Sequence, residues 1–487
     1  MTHNLSRREM LRLAAVAGGT VAVTGAGGSV AGQTADSETV PMFRYDAHNS
    51  GVAPASGPKE EIDDVWTFET DDRLTAQPVV KDGTVFQVSE DSRIYAVAAD
   101  SGSEEWSVGT NQSLMRTPAV GDSMIYVPTQ TGRILALSVA SGSGEWINSN
   151  APGSPTDVTL TDGAVVIAND DGGSDGPYVD SFDRSTGESQ WRYSVGDDES
   201  YSSRTPIVAD GQIYVYHHQD RHTQTDSFEE AYVETRSSAD QTVGWHTHVG
   251  NVGYDRNESS AITYTDYDGG TILVCRGDGV VLSLDATTGE ENWNFSNIGE
   301  LDTVPTFADG SLYVATEEPA LHAIDPSIGT RQWRESLNGS PTSPVYADGV
   351  LYFGADDNYV YAHDADGGEE LWNFRTGNSV VAPPVVVEGR VYAASTDGIL
   401  YALGEGSGIE APDITGDGSP AQDFDGDGLY EDVNGDGSFT AVDVQALFAN
   451  LDSDAVQENP ELFDFNGDGQ VDVTDVQALF AMLDGEQ

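Results

Sequence analysis

The sequence predicts an all-β fold, an eight-bladed β-propeller, followed by a small α-helical domain. Three observations predict it. Trp66, Trp106, Trp146, Trp191, Trp245, Trp293, Trp333 and Trp372 are the eight tryptophans, spaced by 40, 40, 45, 54, 48, 40 and 39 residues. The intervals hold apolar runs of four to six β-branched and aromatic residues between Asp-Gly or Gly-Gly turns. No helix-length periodic segment interrupts them. A period near 40 marks a solenoid or a propeller, and about four strands per unit selects the propeller.

The elements follow in chain order. Arg7-Arg8 precedes an apolar run from Leu13 to about Val23 and small residues to Ala31. This is the pattern of a secretory signal, and the arginine pair resembles a twin-arginine signal, which exports folded proteins. The run is too short for a transmembrane anchor, which needs about 20 residues. The expected division is a signal over 1–35, cut after Ala31 or Ala35, and a propeller over 42–404. One unit reads Pro344-Val345-Tyr346, Asp348-Gly349, Val350-Leu351-Tyr352-Phe353, Asp356-Asp357-Asn358, Tyr359-Val360-Tyr361-Ala362 and Gly367-Gly368, ending at Trp372. Gly102, Gly142, Gly187, Gly289, Gly329 and Gly368 each stand four residues before a tryptophan, with Gln241 the exception. A fixed glycine there predicts a turn with φ > 0, and the tryptophan is expected to pack between neighbouring blades. The last unit, ending at Leu403, lacks a tryptophan strand, so the Trp66 segment is expected to complete it and close the ring.

Ile399-Leu400-Tyr401-Ala402-Leu403 and the stretch from Leu282-Ser283-Leu284-Asp285 through Thr288-Gly289-Glu290 to Trp293 resemble the PQQ-type propeller repeat. The resemblance implies eight blades around a central channel. Quinoprotein members of that group carry a vicinal Cys-Cys pair, whereas Cys275 is the only cysteine here. No catalytic or cofactor-binding residue is therefore assigned and no PQQ is expected. The expected role is a non-catalytic binding or scaffold propeller, with a PQQ-dependent dehydrogenase as the alternative. Cys275, inside an apolar run, is read as a buried small hydrophobe.

Residues 405–422, rich in Gly, Ser, Pro and Asp, read as a linker. A 32-residue repeat follows, within a domain placed at 423–487. Asp432, Asn434 and Asp436 stand at loop positions 1, 3 and 5, Ser438 at 7 and Asp443 at 12; Asp464, Asn466, Asp468, Gln470 and Asp475 repeat them. Oxygen ligands at this spacing wrap one Ca²⁺, with the backbone carbonyl serving at position 7. Two calcium sites are expected, and Asp423, Asp425 and Asp427 form a partial third loop. Each full loop runs into the same apolar segment, Val444-Gln445-Ala446-Leu447-Phe448-Ala449 and Val476-Gln477-Ala478-Leu479-Phe480-Ala481. A calcium loop followed by a helix, twice, resembles a dockerin domain. That resemblance implies a protein partner, cohesin-like or on the cell surface, and with it a second alternative role in extracellular polysaccharide degradation.

The chain has 82 acidic and 21 basic residues, a net charge of −61. That excludes a phosphate-neutralising nucleic-acid surface and an anionic-membrane surface. Self-repulsion on this scale suits a folded protein in very salty surroundings, where screening is strong. His217, His218 and His222 fall in a polar insertion, and His246 and His248 should share one face of a strand. The insertion is read as solvated loop, with zinc or copper binding as the alternative.

Overall fold

The computed structural model describes residues 39–60, 62–148, 155–169, 178–195, 200–201, 205–222, 227–252, 261–266, 269–301, 303–405, 412–416, 418–422, 429–457, 459–466 and 469–483. Eight antiparallel sheets form the propeller. The first blade holds β2–β5 (79–109), the second β6–β9 (119–148), the third β10–β13 (159–194) and the fourth β14–β18 (200–252). The fifth holds β19–β22 (261–296), the sixth β23–β26 (306–336) and the seventh β27–β30 (345–375). The eighth combines β31–β33 (385–405) with β1 (Ile62–Glu69), so that Trp66 pairs with Ala402. The ring closes by this pairing of its two ends, as the missing tryptophan strand in the last unit predicts.

The tryptophans join blade to blade through one repeated device. Trp66 Nε1 donates to Ala99 O at 3.0 Å, Trp106 to Val139 O at 2.9 Å, Trp146 to Arg184 O at 3.0 Å and Trp245 to Ala286 O at 2.9 Å. Each acceptor belongs to the next blade. The glycine of that blade's last hairpin lies flush against the indole: a Cβ on Gly142 would stand 2.6 Å from Trp106 Cε3. Gly142 also has φ +66°, so the left-handed turn and the close approach both call for glycine. The hairpin itself is set by an aspartate at its start. Asp285 accepts from Thr287 N at 2.9 Å and Thr288 N at 2.7 Å, which holds the chain in position to reach Gly289.

The junction between the third and fourth blades is irregular. Trp191 stacks on Tyr193 at 5.8 Å, and Gln241 takes the glycine place with φ +61°. Cys275 is buried and unpaired with another cysteine, and burial raises its thiol pKa. It sits in a core cluster with Leu273, Val281, Leu301 and Val314, as its apolar setting predicts.

Residues 39–53 run through the centre and bond to the inner strand of every blade. Val40 pairs with Val80, Val120 N donates to Pro41 O at 2.7 Å, and Leu160 N points to Met42 Sδ at 3.4 Å. Val208 N donates to Ala47 O, Tyr264 N to His48 O and Ala53 N to Tyr346 O. Tyr45 Oη accepts from Val386 N at 2.6 Å. The fully buried Arg44 donates to Pro344 O at 2.6 Å and to Thr306 Oγ1. This segment fills the channel as a plug that bonds to the blades around it, although the Arg44 Nε finds no partner among the described residues.

The C-terminal module has helices α1 (Ala441–Asn450), α2 (Asp454–Gln457), α3 (Pro460–Phe463) and α4 (Val473–Leu483). Its core holds Val433, Val444, Leu447, Phe463, Val476 and Leu479. Ile414 and Ala421, within the stretch read as linker, are buried in the same core. Thr440 caps α1 by accepting from Val442 N at 3.2 Å, in a capping box with Asp443.

Candidate functional site: two oxygen-lined loops and a plugged channel

The described residues of the two loops make matching hydrogen bonds. In the first, Asp432 Oδ1 accepts from Asp436 N at 3.1 Å and Oδ2 from Gly437 N at 2.6 Å. Asp443 Oδ1 accepts from Asn434 N at 3.1 Å, and Oδ2 from Thr440 N at 2.8 Å. In the second, Asp464 Oδ2 accepts from Gly469 N at 2.7 Å, Asp475 Oδ1 from Asn466 N at 3.1 Å and Oδ2 from Asp472 N at 2.8 Å. The acid at position 12 thus clamps positions 3 and 9 while it opens the following helix.

The donor set tests whether a cation belongs there. Asp432, Asp443 and Asp475 are fully buried, and no lysine or arginine follows Arg390. Burial raises the Asp443 carboxyl pKa, with a smaller push from Asp432 in the same direction. Buried carboxylates with no basic side chain in reach fit a hard divalent ion, which an all-oxygen set prefers. Asn434 is half-buried, while Asp436 and Ser438 are exposed on the open side of the first loop. In the second loop Asn466 and Gln470 are both exposed. Asp468, Asp423, Asp425 and Asp427 lie outside the described residues.

On the propeller, a cavity of about 470 Å³ opens where the chain enters the inner strands. The plug supplies its floor through Phe43 and Asn49, and Arg116, Asp157, Glu317 and Asp356 ring the walls. Asp157 is held by Thr117 N at 2.7 Å and Thr205 Oγ1 at 3.1 Å. Sequence reasoning missed this cavity, because its lining comes from short stretches of seven blades and from the plug.

The histidine insertion is corrected by the structure. His217, His218 and His222 lie in β16 (Gln212–His222), an ordered strand, and His217 and His218 are buried. His246 and His248 alternate on β18 (Val243–Val252) and share a face as predicted. Polar composition suggested a loop, but the antiparallel partner β17 (Ser227–Ser237) pairs this segment along its whole length.

Comparison with known proteins agrees with this geometry. Residues 430–484 match the dockerin type I domain, which implies calcium binding and a protein partner of cohesin type. No curated protein matches the chain. Among solved structures, the quinohemoprotein alcohol dehydrogenase from Comamonas testosteroni shares 15% identity over 76% of this chain and 81% of its own, with a TM-score of 0.63. BamB from Moraxella catarrhalis shares 16% over 71% of this chain and 100% of its own, with a TM-score of 0.57. A europium-containing methanol dehydrogenase shares 14% over 76% and 98%, with a TM-score of 0.65. At these identities the likeness carries the fold alone. Residues 60–258, 229–345 and 321–411 match one family in three overlapping stretches, so that with its PQQ-like repeats the chain belongs to the family described as outer membrane protein assembly factor BamB.

Proposed function

We propose that the protein is an exported, calcium-dependent adaptor: the C-terminal module docks to a protein partner while the propeller presents a binding face. The observation that supports docking is a pair of phenylalanines. Phe448 on α1 and Phe480 on α4 stand at equivalent positions of the repeat, yet are 62% and 53% exposed. Their neighbours Leu447 and Leu479 fill the core, so the apolar stripe of each helix is wider than the module can bury. Large exposed aromatics at matched sites suit a partner surface. Calcium held by the two loops would fix the helices that carry them, coupling binding to folding. Export by the twin-arginine route, and a role beside polysaccharide-degrading enzymes, belong to the same proposal.

The test is calorimetry against cohesin modules in molar KCl. Binding should require calcium and should disappear in a Phe448→Ser/Phe480→Ser double variant. Equal affinity in EDTA, or wild-type affinity in the double variant, would sink the docking reading. For the propeller, PQQ added with an artificial electron acceptor should give no dye reduction with alcohols.

A further inference from the structure

The fourth blade departs from its neighbours in strand length. β16, β17 and β18 run for 11, 11 and 10 residues, whereas among the described residues the strands of the other blades are no longer than eight. At the base of this extension three side chains from three strands converge. His217 pairs with Tyr232, and Glu234 pairs with His246. Alternation along the strands puts His217, Tyr232, Glu234, His246 and His248 on one face of the sheet. That face looks toward the third blade: Ile213 and Val215 pack there with Tyr193 and Val195 of that blade. The other face, through Tyr214 and Tyr216, packs on the fifth.

One ligand atom from each of His217, Glu234 and His246 lies within 4.8 Å of the other two. Glu234 Oε2 faces His217 Nε2 at 3.8 Å, while Oε1 accepts from Arg236 Nε at 3.4 Å. His217 is fully buried, and neither ring nitrogen has a hydrogen-bond partner among the described residues. A native fold ordinarily satisfies such a group, so an unpartnered buried imidazole beside a carboxylate and a second imidazole needs an explanation. The rings of His217 and His246 are 5.5 Å apart and inclined by only 12°, with Tyr232 stacked on His246 at 4.5 Å. Arg236 lies over the Tyr193 ring at 4.4 Å and engages Glu234 through Oε1, which leaves Oε2 as the oxygen that faces His217.

We propose that His217, Glu234 and His246 bind a zinc-class transition-metal ion that ties β16, β17 and β18 together. Two imidazoles and one carboxylate suit zinc or a neighbouring first-row ion and are a poor set for calcium. Tetrahedral zinc keeps its ligand atoms about 3.4 Å apart, so the three groups draw in from within 4.8 Å and the imidazoles turn out of their near-parallel stack to close on the ion. His246 is exposed, which gives the ion a way in and leaves its fourth position to solvent.

The experiment uses the full chain in molar KCl with excess calcium, which fills the oxygen loops. Zinc chloride is titrated by calorimetry, and cobalt chloride is followed by visible absorption. The expected result is one equivalent of zinc per chain and the strong visible bands of tetrahedral cobalt. His246→Asn, at an exposed position, should unfold at the wild-type temperature without zinc yet lose the equivalent and the cobalt bands; Glu234→Gln should lose both as well. Absence of zinc uptake by the wild type in excess calcium overturns the proposal. So does full retention of zinc and cobalt bands by His246→Asn.

Discussion

Replacing Gly142 with alanine separates two forces that act at every regular blade junction. The residue has φ +66°, and its new Cβ would lie 2.6 Å from both Trp106 Cε3 and Val108 Cγ2. The indole cannot swing away freely, because Nε1 donates to Val139 O at 2.9 Å. A left-handed alanine costs about 1–2 kcal/mol, and forcing a methyl into a filled contact adds about 1–3 kcal/mol. The expected loss is therefore about 2–5 kcal/mol. Gly83 supplies the control, since it has φ +77° and nothing within 4 Å of its Cβ position. Gly83→Ala should lose only the backbone part, about 1–2 kcal/mol. Urea unfolding of both variants in molar KCl, followed by tryptophan fluorescence, gives the difference directly. Equal losses in the two variants would refute the role assigned to the flush contact.

Two further outcomes are expected. Asp475→Ala should remove one of the calorimetric calcium-binding events and leave the other, because Asp475 clamps only the second loop; unchanged stoichiometry would refute the ligand assignment. His322 is buried, and burial, with Arg331 and Arg334 adding to it, brings its pKa down from 6.5 to about 4. The unfolded chain therefore binds the extra proton between those values, so this histidine's stabilising contribution is full above pH 6.5 and declines as pH falls toward 4. His322→Gln should flatten that part of the profile of unfolding temperature against pH, and a variant that follows the wild-type slope would show that His322 is not its source.

The propeller was legible because its physics repeats. A tryptophan needs a flat partner, the partner is a glycine in a left-handed turn, and both recur at a near-constant spacing from Trp66 to Trp372. The calcium loops were legible for the same kind of reason, since ligand number and bond length dictate the spacing from Asp432 to Asp443. The plug was not. Residues 39–53 have no period, and their conformation is set by bonds to eight strands that are distant in sequence, such as Arg44 to Pro344. The histidine strand was misread because His217 to His222 lack the apolar alternation of a half-buried strand. Only the pairing with β17 makes them one. The cavity is invisible to any local pattern, because Asp157, Glu317 and Asp356 come from separate blades.

The join between β1 and β33 has a consequence for the molecule's lifetime. Ile62 and Glu405 are partners across almost the whole propeller, and bringing such distant points together costs about 5 kcal/mol of chain entropy. Such a non-local pairing is expected to form slowly, because the chain entropy is lost before the contact is made. The same join guards the way out. Parting the two ends of the sequence at this seam would open the ring, so the rate at which β1 leaves β33 is expected to govern how long the folded propeller persists.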